Sequence, residues 1–142
     1  MNITGRWIGK YTFGKGYYDS MIGKSDPFEF EIVDNAGSIS GSCIDNVVKA
    51  VNGNESYIIG TFKNNKIAFK KRYKIHTAVD EFGNQVIMHR ISTDGIDYSG
   101  KLKKKFFSRR IYFSGSWSIT TWIEDDPETH VYKGTWQIFR VE

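Results

Sequence analysis

The sequence predicts an all-β protein, a single antiparallel meander β-barrel of about eight to ten strands. The composition favours strands, because 17 Ile and 8 Val stand against one Leu and four Ala in 142 residues. β-Branched residues suit a pleated sheet, whereas Leu and Ala favour helices. Apolar and polar residues also alternate with a period of two along most of the chain. Glycine recurs inside the alternating segments, where it lets a sheet bend.

The alternating segments follow one another from Gly5 to the end of the chain, separated by short turns rich in Asn, Asp and Gly. The first segment places Trp7, Gly9 and Tyr11 on one face, and later segments continue in the same way. In chain order, the later segments place on one face Phe28, Phe30 and Ile32; Ile39, Gly41 and Cys43; Tyr57, Ile59 and Thr61; Ile67, Phe69, Lys71, Tyr73 and Ile75; Ile96, Tyr98, Gly100 and Leu102; Ile111, Phe113, Gly115, Trp117 and Ile119; and Tyr132, Gly134, Trp136 and Ile138. A further strand is expected around 85–91, bracketed by turns at 82–84 and 94–95. The barrel interior is expected to be lined by Trp7, Phe28, Phe30, Ile59, Phe69, Trp117 and Trp136.

Two segments lack clean alternation. Residues 14–26 predict a loop over one end of the barrel. Residues 45–53 predict either a short helix, with Asp45 as N-cap and Gly53 as C-cap, or a loop. No linker separates the segments, so residues 1–142 are expected to form one domain.

A glycine flanked at two residues' distance by bulky or apolar residues occurs five times within the alternating segments. Glycine inside a strand costs stability, so its repetition indicates a structural need. A curved sheet that closes on itself supplies that need, and we favour a closed barrel over an open sandwich. The five glycines are Gly41, Gly60, Gly100, Gly115 and Gly134.

The opening Gly5-Arg6-Trp7 resembles the G-x-W signature on the first strand of the calycin superfamily, which includes lipocalins, fatty-acid-binding proteins and avidins. The resemblance implies a lipocalin-like barrel in which Trp7 closes one end and Arg140 packs across it. The same triplet recurs at Gly115 and Gly134. The residues after Trp7 do not match the biotin-binding set of avidins, so the resemblance extends to the superfamily and to no single member.

The resemblance and the aromatic inner faces together predict binding of a small, mainly apolar ligand inside the barrel, without catalysis. An inward lysine would allow this ligand to be anionic. We expect Lys71, however, to lie near a strand end and reach water, because a buried ammonium is costly. The candidate ligand-binding residues are Tyr11, Lys71, Tyr73, Arg90, Tyr98, Trp117, Thr121 and Trp136.

A haem or other cofactor barrel with an enzymatic or sensor role is an alternative, with His89 as the candidate ligand on the strand around 85–91. The three histidines do not lie at metal-ligand spacings, so no metal site is expected. Cys43 is the single cysteine and is expected to be a buried thiol rather than a nucleophile.

The net charge of +4 permits an anionic partner without requiring one. Basic runs at 70–74, 101–105 and 109–110 allow a nucleic-acid or protein partner on an outer face, although we favour solvated strand faces. No apolar run is long enough to span a membrane, so no membrane partner is expected, and a homo-oligomer stays open. One cysteine and no leader-like start favour the cytoplasm.

Overall fold

A computed structural model describes residues 1–126 and 128–141 of the chain. It contains one short helix, α1 (Asn46–Ala50), and ten strands. The strands are β1 (Gly5–Phe13), β2 (Ser25–Asn35), β3 (Ser38–Asp45), β4 (Ser56–Lys63), β5 (Lys66–Tyr73), β6 (Thr77–Val79), β7 (Gln85–Ile87), β8 (Ile91–Lys104), β9 (Ile111–Ile123) and β10 (Thr129–Arg140).

Eight of the strands form a closed antiparallel barrel in the order β1-β10-β9-β8-β5-β4-β3-β2. Each barrel strand pairs with the next one along the chain, and β10 returns to pair with β1, which makes the topology a meander. β6 and β7 form a separate two-stranded hairpin inserted between β5 and β8. The predicted all-β meander barrel is therefore confirmed.

The strand directions give the barrel two different ends. The plugged end carries the N-terminal residues 1–4 and the turns that join β2 to β3, β4 to β5 and β8 to β9. The pocket end carries the loop 14–24, helix α1 and the β6–β7 hairpin.

Trp7 and Arg140 lie directly opposite each other on β1 and β10 at the plugged end. Trp7 is fully buried, and its Nε1 donates a hydrogen bond to the Ile3 carbonyl at 3.0 Å. The Arg140 guanidinium lies 5.5 Å from the centre of the Trp7 ring and donates to the carbonyls of Asn2 and Thr4. The N-terminal segment thus seals this end of the barrel, and its residue Ile3 is completely buried.

The repeated glycines mark points where neighbouring backbones approach closely. Gly115 lies opposite Trp136, and Gly134 lies opposite Trp117. A Cβ on Gly134 would meet the Trp117 ring at 2.4 Å and the Thr12 carbonyl at 2.1 Å. The Trp117 ring therefore covers Gly134, and glycine is required there because no space is left for a side chain.

The structure corrects the predicted face of β4. Ile59 is 60 % exposed, whereas Ile58 faces the interior and is buried. Two consecutive isoleucines leave the alternation ambiguous by one residue, and a one-residue slip exchanges the faces of a strand. Phe28, Phe30 and Phe69 lie inside, as predicted.

The strand predicted around 85–91 is also corrected. β7 ends at Ile87 and β8 begins at Ile91, so the predicted strand is interrupted. Asp94 and Gly95 do not form a turn, because they lie within β8 at a register shift between Thr93 and Ile96. Gly95 has a φ of +111°, which fits a bulge that a residue with a side chain would rarely form.

The segment 45–53 was predicted to be either a short helix or a loop, and it contains the short helix α1. Asp45 is the N-cap, as predicted, and its carboxylate accepts a hydrogen bond from the Val48 N–H at 3.0 Å. The C-cap is Val51 rather than Gly53. The helix ends earlier than predicted because Val51 already adopts an extended conformation.

Candidate functional site

A cavity of about 480 Å³ occupies the pocket end of the barrel. Its volume lies within the range of roughly 300–1,000 Å³ that is typical of small-molecule sites. Aromatic side chains from the barrel wall line its lower part, and the β6–β7 hairpin lines its mouth. The residues that line it include Tyr11, Tyr17, Val47, Lys71, Tyr73, His76, Thr77, Ala78, Val79, Gln85, Met88, Tyr98, Trp117, Ile119, Thr121 and Tyr132.

The cavity floor is a packed cluster of aromatic rings. Tyr98 stacks on Phe69, with ring centres 4.8 Å apart and planes 8° from parallel. Tyr17 reaches in from the loop 14–24 and packs against Tyr132 and Trp117 at 4.9 and 5.9 Å. These rings present both flat faces and hydroxyl groups to the cavity, which suits a ligand with a planar apolar body and a few polar atoms.

Lys71 is buried, contrary to the prediction that it would reach water. Its side chain is 1 % exposed, and its Nζ donates to the Asp45 carboxylate at 2.9 Å. Asp45 lies at the end of β3, where β3 meets helix α1. The carboxylate thus supplies the partner that makes a buried ammonium tolerable, and it explains why the lysine points inward.

Asp45 is held by three groups from different parts of the chain. One carboxylate oxygen, Oδ1, accepts the Val48 N–H that caps α1. The other, Oδ2, accepts both the Lys71 ammonium and the Tyr73 hydroxyl. A single side chain therefore fixes the helix start and orients both polar side chains of β5 at the cavity.

Aromatic rings enclose the Lys71 ammonium on its remaining sides. Its Nζ lies 4.9 Å from the centre of the Tyr73 ring and 5.4 or 5.5 Å from those of Tyr98, Tyr11 and Phe28. The electron-rich faces of such rings attract a cation, more strongly where water is excluded. The ammonium is consequently stabilised by the rings as well as by Asp45.

The pair stays ionised despite its burial. Burial by itself would raise the pKa of Asp45, but the ammonium of Lys71 and the hydroxyl of Tyr73 outweigh it and lower that pKa. Burial would lower the pKa of Lys71, and the surrounding anionic and phenolic groups outweigh it and raise that pKa. Burial also raises the pKa of Tyr98 to about 12, an effect that Lys71 partly offsets. The cavity floor therefore holds one positive and one negative charge, and its net charge is zero.

This pair predicts a loss of stability in acid. The pKa of Asp45 in the folded protein lies below its ordinary value of 3.8. The ionised Asp45 therefore contributes its full share of the unfolding free energy above pH 3.8, and this share is lost as the pH falls from 3.8 through the pKa of the folded protein. Urea denaturation of the wild type and of Asp45→Asn should show a gap in unfolding free energy at neutral pH that narrows below pH 3.8. A gap that is constant down to pH 2 would contradict an ionised Asp45.

The β6–β7 hairpin covers the mouth of the cavity. Asn54 anchors its entry by exchanging hydrogen bonds with the backbone of Ile75 at 2.8 and 3.1 Å. Ser20 of the loop 14–24 donates to the Glu81 carbonyl at the hairpin tip, at 2.7 Å. His76 is half-buried on this lid, and burial lowers its pKa, so its imidazole is neutral at pH 7 and adds no charge to the cavity.

Most of the sequence-predicted ligand-binding residues lie together at this cavity, namely Tyr11, Lys71, Tyr73, Tyr98, Trp117 and Thr121. Trp136 lies deeper, in the core, where its Nε1 donates to the carbonyls of Ser99 and Ser116. Arg90 and His89 are exposed in the connection between β7 and β8 and do not face the cavity. Their predicted inward placement depended on an uninterrupted strand over 85–91, which the chain does not form.

Several residues of the cavity were not among the predicted ligand-binding residues, including Tyr17, His76 and Tyr132. Tyr132 belongs to the inward face of β10, so the alternation with Trp136 already indicated its position. Tyr17 lies in the segment 14–26, which lacks alternation, and His76 lies in the connection between β5 and β6; no pattern in the sequence indicated that either turns toward the barrel. The alternation of the sequence therefore does not indicate which residues of the loops and of the lid line the cavity.

Cys43 is buried on β3, and burial raises the pKa of its thiol to about 12, so it is not a nucleophile at neutral pH. Within residues 1–126 and 128–141, no three His, Cys, Asp or Glu side chains lie close enough together to hold a metal ion.

In the same described part of the chain, no helix has the length and apolar character needed to cross a bilayer. Comparison of the sequence with protein-family models and with curated proteins gives no match.

Proposed function

We propose that this protein binds a small, uncharged ligand with an aromatic or otherwise planar apolar body, without catalysing a reaction on it. The observation that carries the proposal is the half-filled barrel. Buried side chains, among them Ile3, Trp7 and Phe113, pack the plugged end, whereas the pocket end keeps a cavity of about 480 Å³ between the aromatic floor and the lid. A barrel selected only for stability would gain free energy by filling that space.

The charge balance of the cavity argues for an uncharged ligand. Lys71 is the only charged side chain among the described lining residues, and Asp45 neutralises it at 2.9 Å. An anionic ligand would have to compete with that carboxylate for the ammonium, and it would lie close to a buried negative charge. We therefore replace the anionic ligand allowed by the sequence with a neutral one whose hydroxyl or carbonyl groups meet the tyrosine hydroxyls.

We also infer that the barrel is of calycin type. The support is the closed eight-stranded meander together with Trp7 buried at the start of β1 and Arg140 lying across it. Calycins bind small molecules in the barrel interior, and the resemblance agrees with a site at the end opposite Trp7. The cytoplasm stays the expected location.

Titration with fluorescent probes tests the proposal. The neutral probe N-phenyl-1-naphthylamine should bind at least tenfold more tightly than a fluorescent fatty-acid analogue of similar size, because only the latter introduces a charge. Ala78→Trp, at the lid, should weaken binding of the neutral probe at least tenfold by narrowing the mouth. Ala68→Trp, on the exposed outer face of β5, is the matched control and should bind like the wild type.

Three results would contradict the proposal. Equal binding of the probe by both Ala→Trp variants would place the ligand outside the cavity. Tighter binding of the fatty-acid analogue than of the neutral probe would favour an anionic ligand instead. A shifted Soret band on titration with hemin that His76→Ala abolishes would favour the cofactor-holding barrel instead, with His76 in the role that the sequence suggested for His89.

A further inference from the structure

The turn between β8 and β9 carries the two most exposed aromatic side chains of the described chain. Phe106 is 90 % exposed and Phe107 is 95 % exposed, at the plugged end of the barrel. Large apolar side chains held this far into water are unfavourable for an isolated protein and commonly mark a surface that meets an apolar partner. We call residues 105–110 the aromatic tip.

The aromatic tip is anchored at its base. The Lys105 N–H donates to the Arg110 carbonyl at 2.9 Å, and the Arg109 N–H donates to the Lys105 carbonyl at 3.1 Å. The side chains of Lys105 and Arg110 also pack over the Phe139 ring on the outer face of β10, at 5.1 and 4.4 Å. These contacts hold the Lys105 and Arg110 side chains against the barrel and leave the two phenylalanines projecting.

Positive charge surrounds the projecting rings. Six of the ten residues 101–110 are Lys or Arg, and no Asp or Glu occurs between Ser99 and Ile123. Lys66 of the neighbouring β4–β5 turn lies opposite Lys101, which extends the basic surface around the same end of the barrel. Because the whole chain has a net charge of only +4, the stretch 101–110, with six basic and no acidic residues, is far more basic than the chain as a whole.

We propose that the aromatic tip docks the protein on the surface of an anionic lipid bilayer. Phe106 and Phe107 insert at the level of the headgroups, and the surrounding lysines and arginines contact the anionic lipids. This inference departs from the expectation, based on sequence, that no membrane is a partner. It is independent of the proposed ligand binding, because the cavity opens at the opposite end of the barrel.

The shape of the tip favours a bilayer over a nucleic acid. Proteins that bind single strands stack bases on rings along a groove or sheet face. Here the two rings meet edge to face, at 4.9 Å with an angle of 89° between their planes, on a convex turn. Such a wedge has no groove for a strand, whereas it can enter the soft interface of a bilayer.

Flotation of the full chain with lipid vesicles tests the inference. The wild type should bind vesicles of phosphatidylcholine with about 30 mol% phosphatidylserine and should not bind vesicles of phosphatidylcholine alone. Binding should fall when NaCl is raised from about 0.1 M to about 0.5 M, because salt screens the basic residues. The double variant Phe106→Ser, Phe107→Ser should lower the partition coefficient roughly tenfold or more.

Two controls separate the tip from general effects. Phe82→Ser removes an exposed phenylalanine at the pocket end and should bind vesicles like the wild type. Lys103→Gln, Lys104→Gln keeps both rings and should weaken binding while reducing its dependence on salt. Circular dichroism of each variant should match the wild type, since the altered side chains are exposed.

Three outcomes would overturn the inference. The first is binding to vesicles that the double phenylalanine variant leaves unchanged. The second is binding to a single-stranded oligonucleotide, lost in that variant, without binding to anionic vesicles. The third is self-association in sedimentation velocity that the variant abolishes, again without vesicle binding, which would make the tip a contact between copies of the chain.

Discussion

Replacing Lys71 with methionine is expected to lower the free energy of unfolding by about 3–5 kcal/mol, because it leaves the buried Asp45 carboxylate without its cation. The substitution keeps a flexible side chain of similar length, so the lost volume is small. The remaining bonds from Tyr73 and from the Val48 N–H do not compensate a full negative charge. Urea denaturation followed by circular dichroism measures the change.

Two further variants distinguish a buried ion pair from simple packing. Lys70→Met alters the residue that precedes Lys71 and lies on the outer face of β5. The Nζ of Lys70 lies 3.5 Å from the exposed carboxylate of Asp97. This control should change the unfolding free energy by less than about 1 kcal/mol. Adding Asp45→Asn to Lys71→Met should recover part of the loss, since the amide needs no cation. A double variant whose destabilisation equals the sum of the singles would show that the two charges are not coupled.

Substituting Gly115 with alanine is expected to destabilise the barrel by about 3 kcal/mol or more, as overpacking does where the surroundings cannot move. The new Cβ would lie 1.9 Å from the Ser99 carbonyl oxygen and 2.5 Å from the Gly100 Cα on the adjacent β8. These are backbone atoms of a closed sheet, so β8 and β9 would have to separate. The loss should appear as a lower urea midpoint.

Ser116→Ala is the matched control for Gly115→Ala. Ser116 is the next residue on β9, exposed on the outer face of the barrel, and its substitution should change the unfolding free energy by at most about 0.5 kcal/mol. If Gly115→Ala lowers the unfolding free energy by less than about 1 kcal/mol, the strands can move apart locally. The close approach of the backbones would then not explain why glycine occupies this position.

The fold was predictable because its signals are local and redundant. Alternation, turn residues and recurring glycines each act over a few residues, and each independently indicated a curved antiparallel sheet. Gly9, between Trp7 and Tyr11, extends the glycine motif to β1, because its Cβ would lie 1.8 Å from the Gln137 carbonyl. The errors fell where the local signal was ambiguous, as at the consecutive isoleucines of β4.

The site was predictable only where the barrel wall forms it. The position of Tyr98 follows from the period of its strand, whereas the direction of Lys71 depends on Asp45, 26 residues away in the chain. The cost of burying a charge made the outward placement the better expectation without that partner. His76 belongs to the lid, and a segment that neither alternates nor forms a long helix gives no indication of which side chains it turns inward.

The β6–β7 hairpin is an insertion that the barrel does not need for closure. β5 and β8 pair with each other directly, from Lys66 opposite Lys101 to Lys71 opposite Ile96, whatever the connection between them. The stretch from 74 to 90 can therefore change in length and chemistry without altering the register of the surrounding sheet. The register of the barrel and the lining of the cavity mouth are in this sense encoded in separable parts of the sequence, and a different connection could be grafted at this point without rebuilding the sheet.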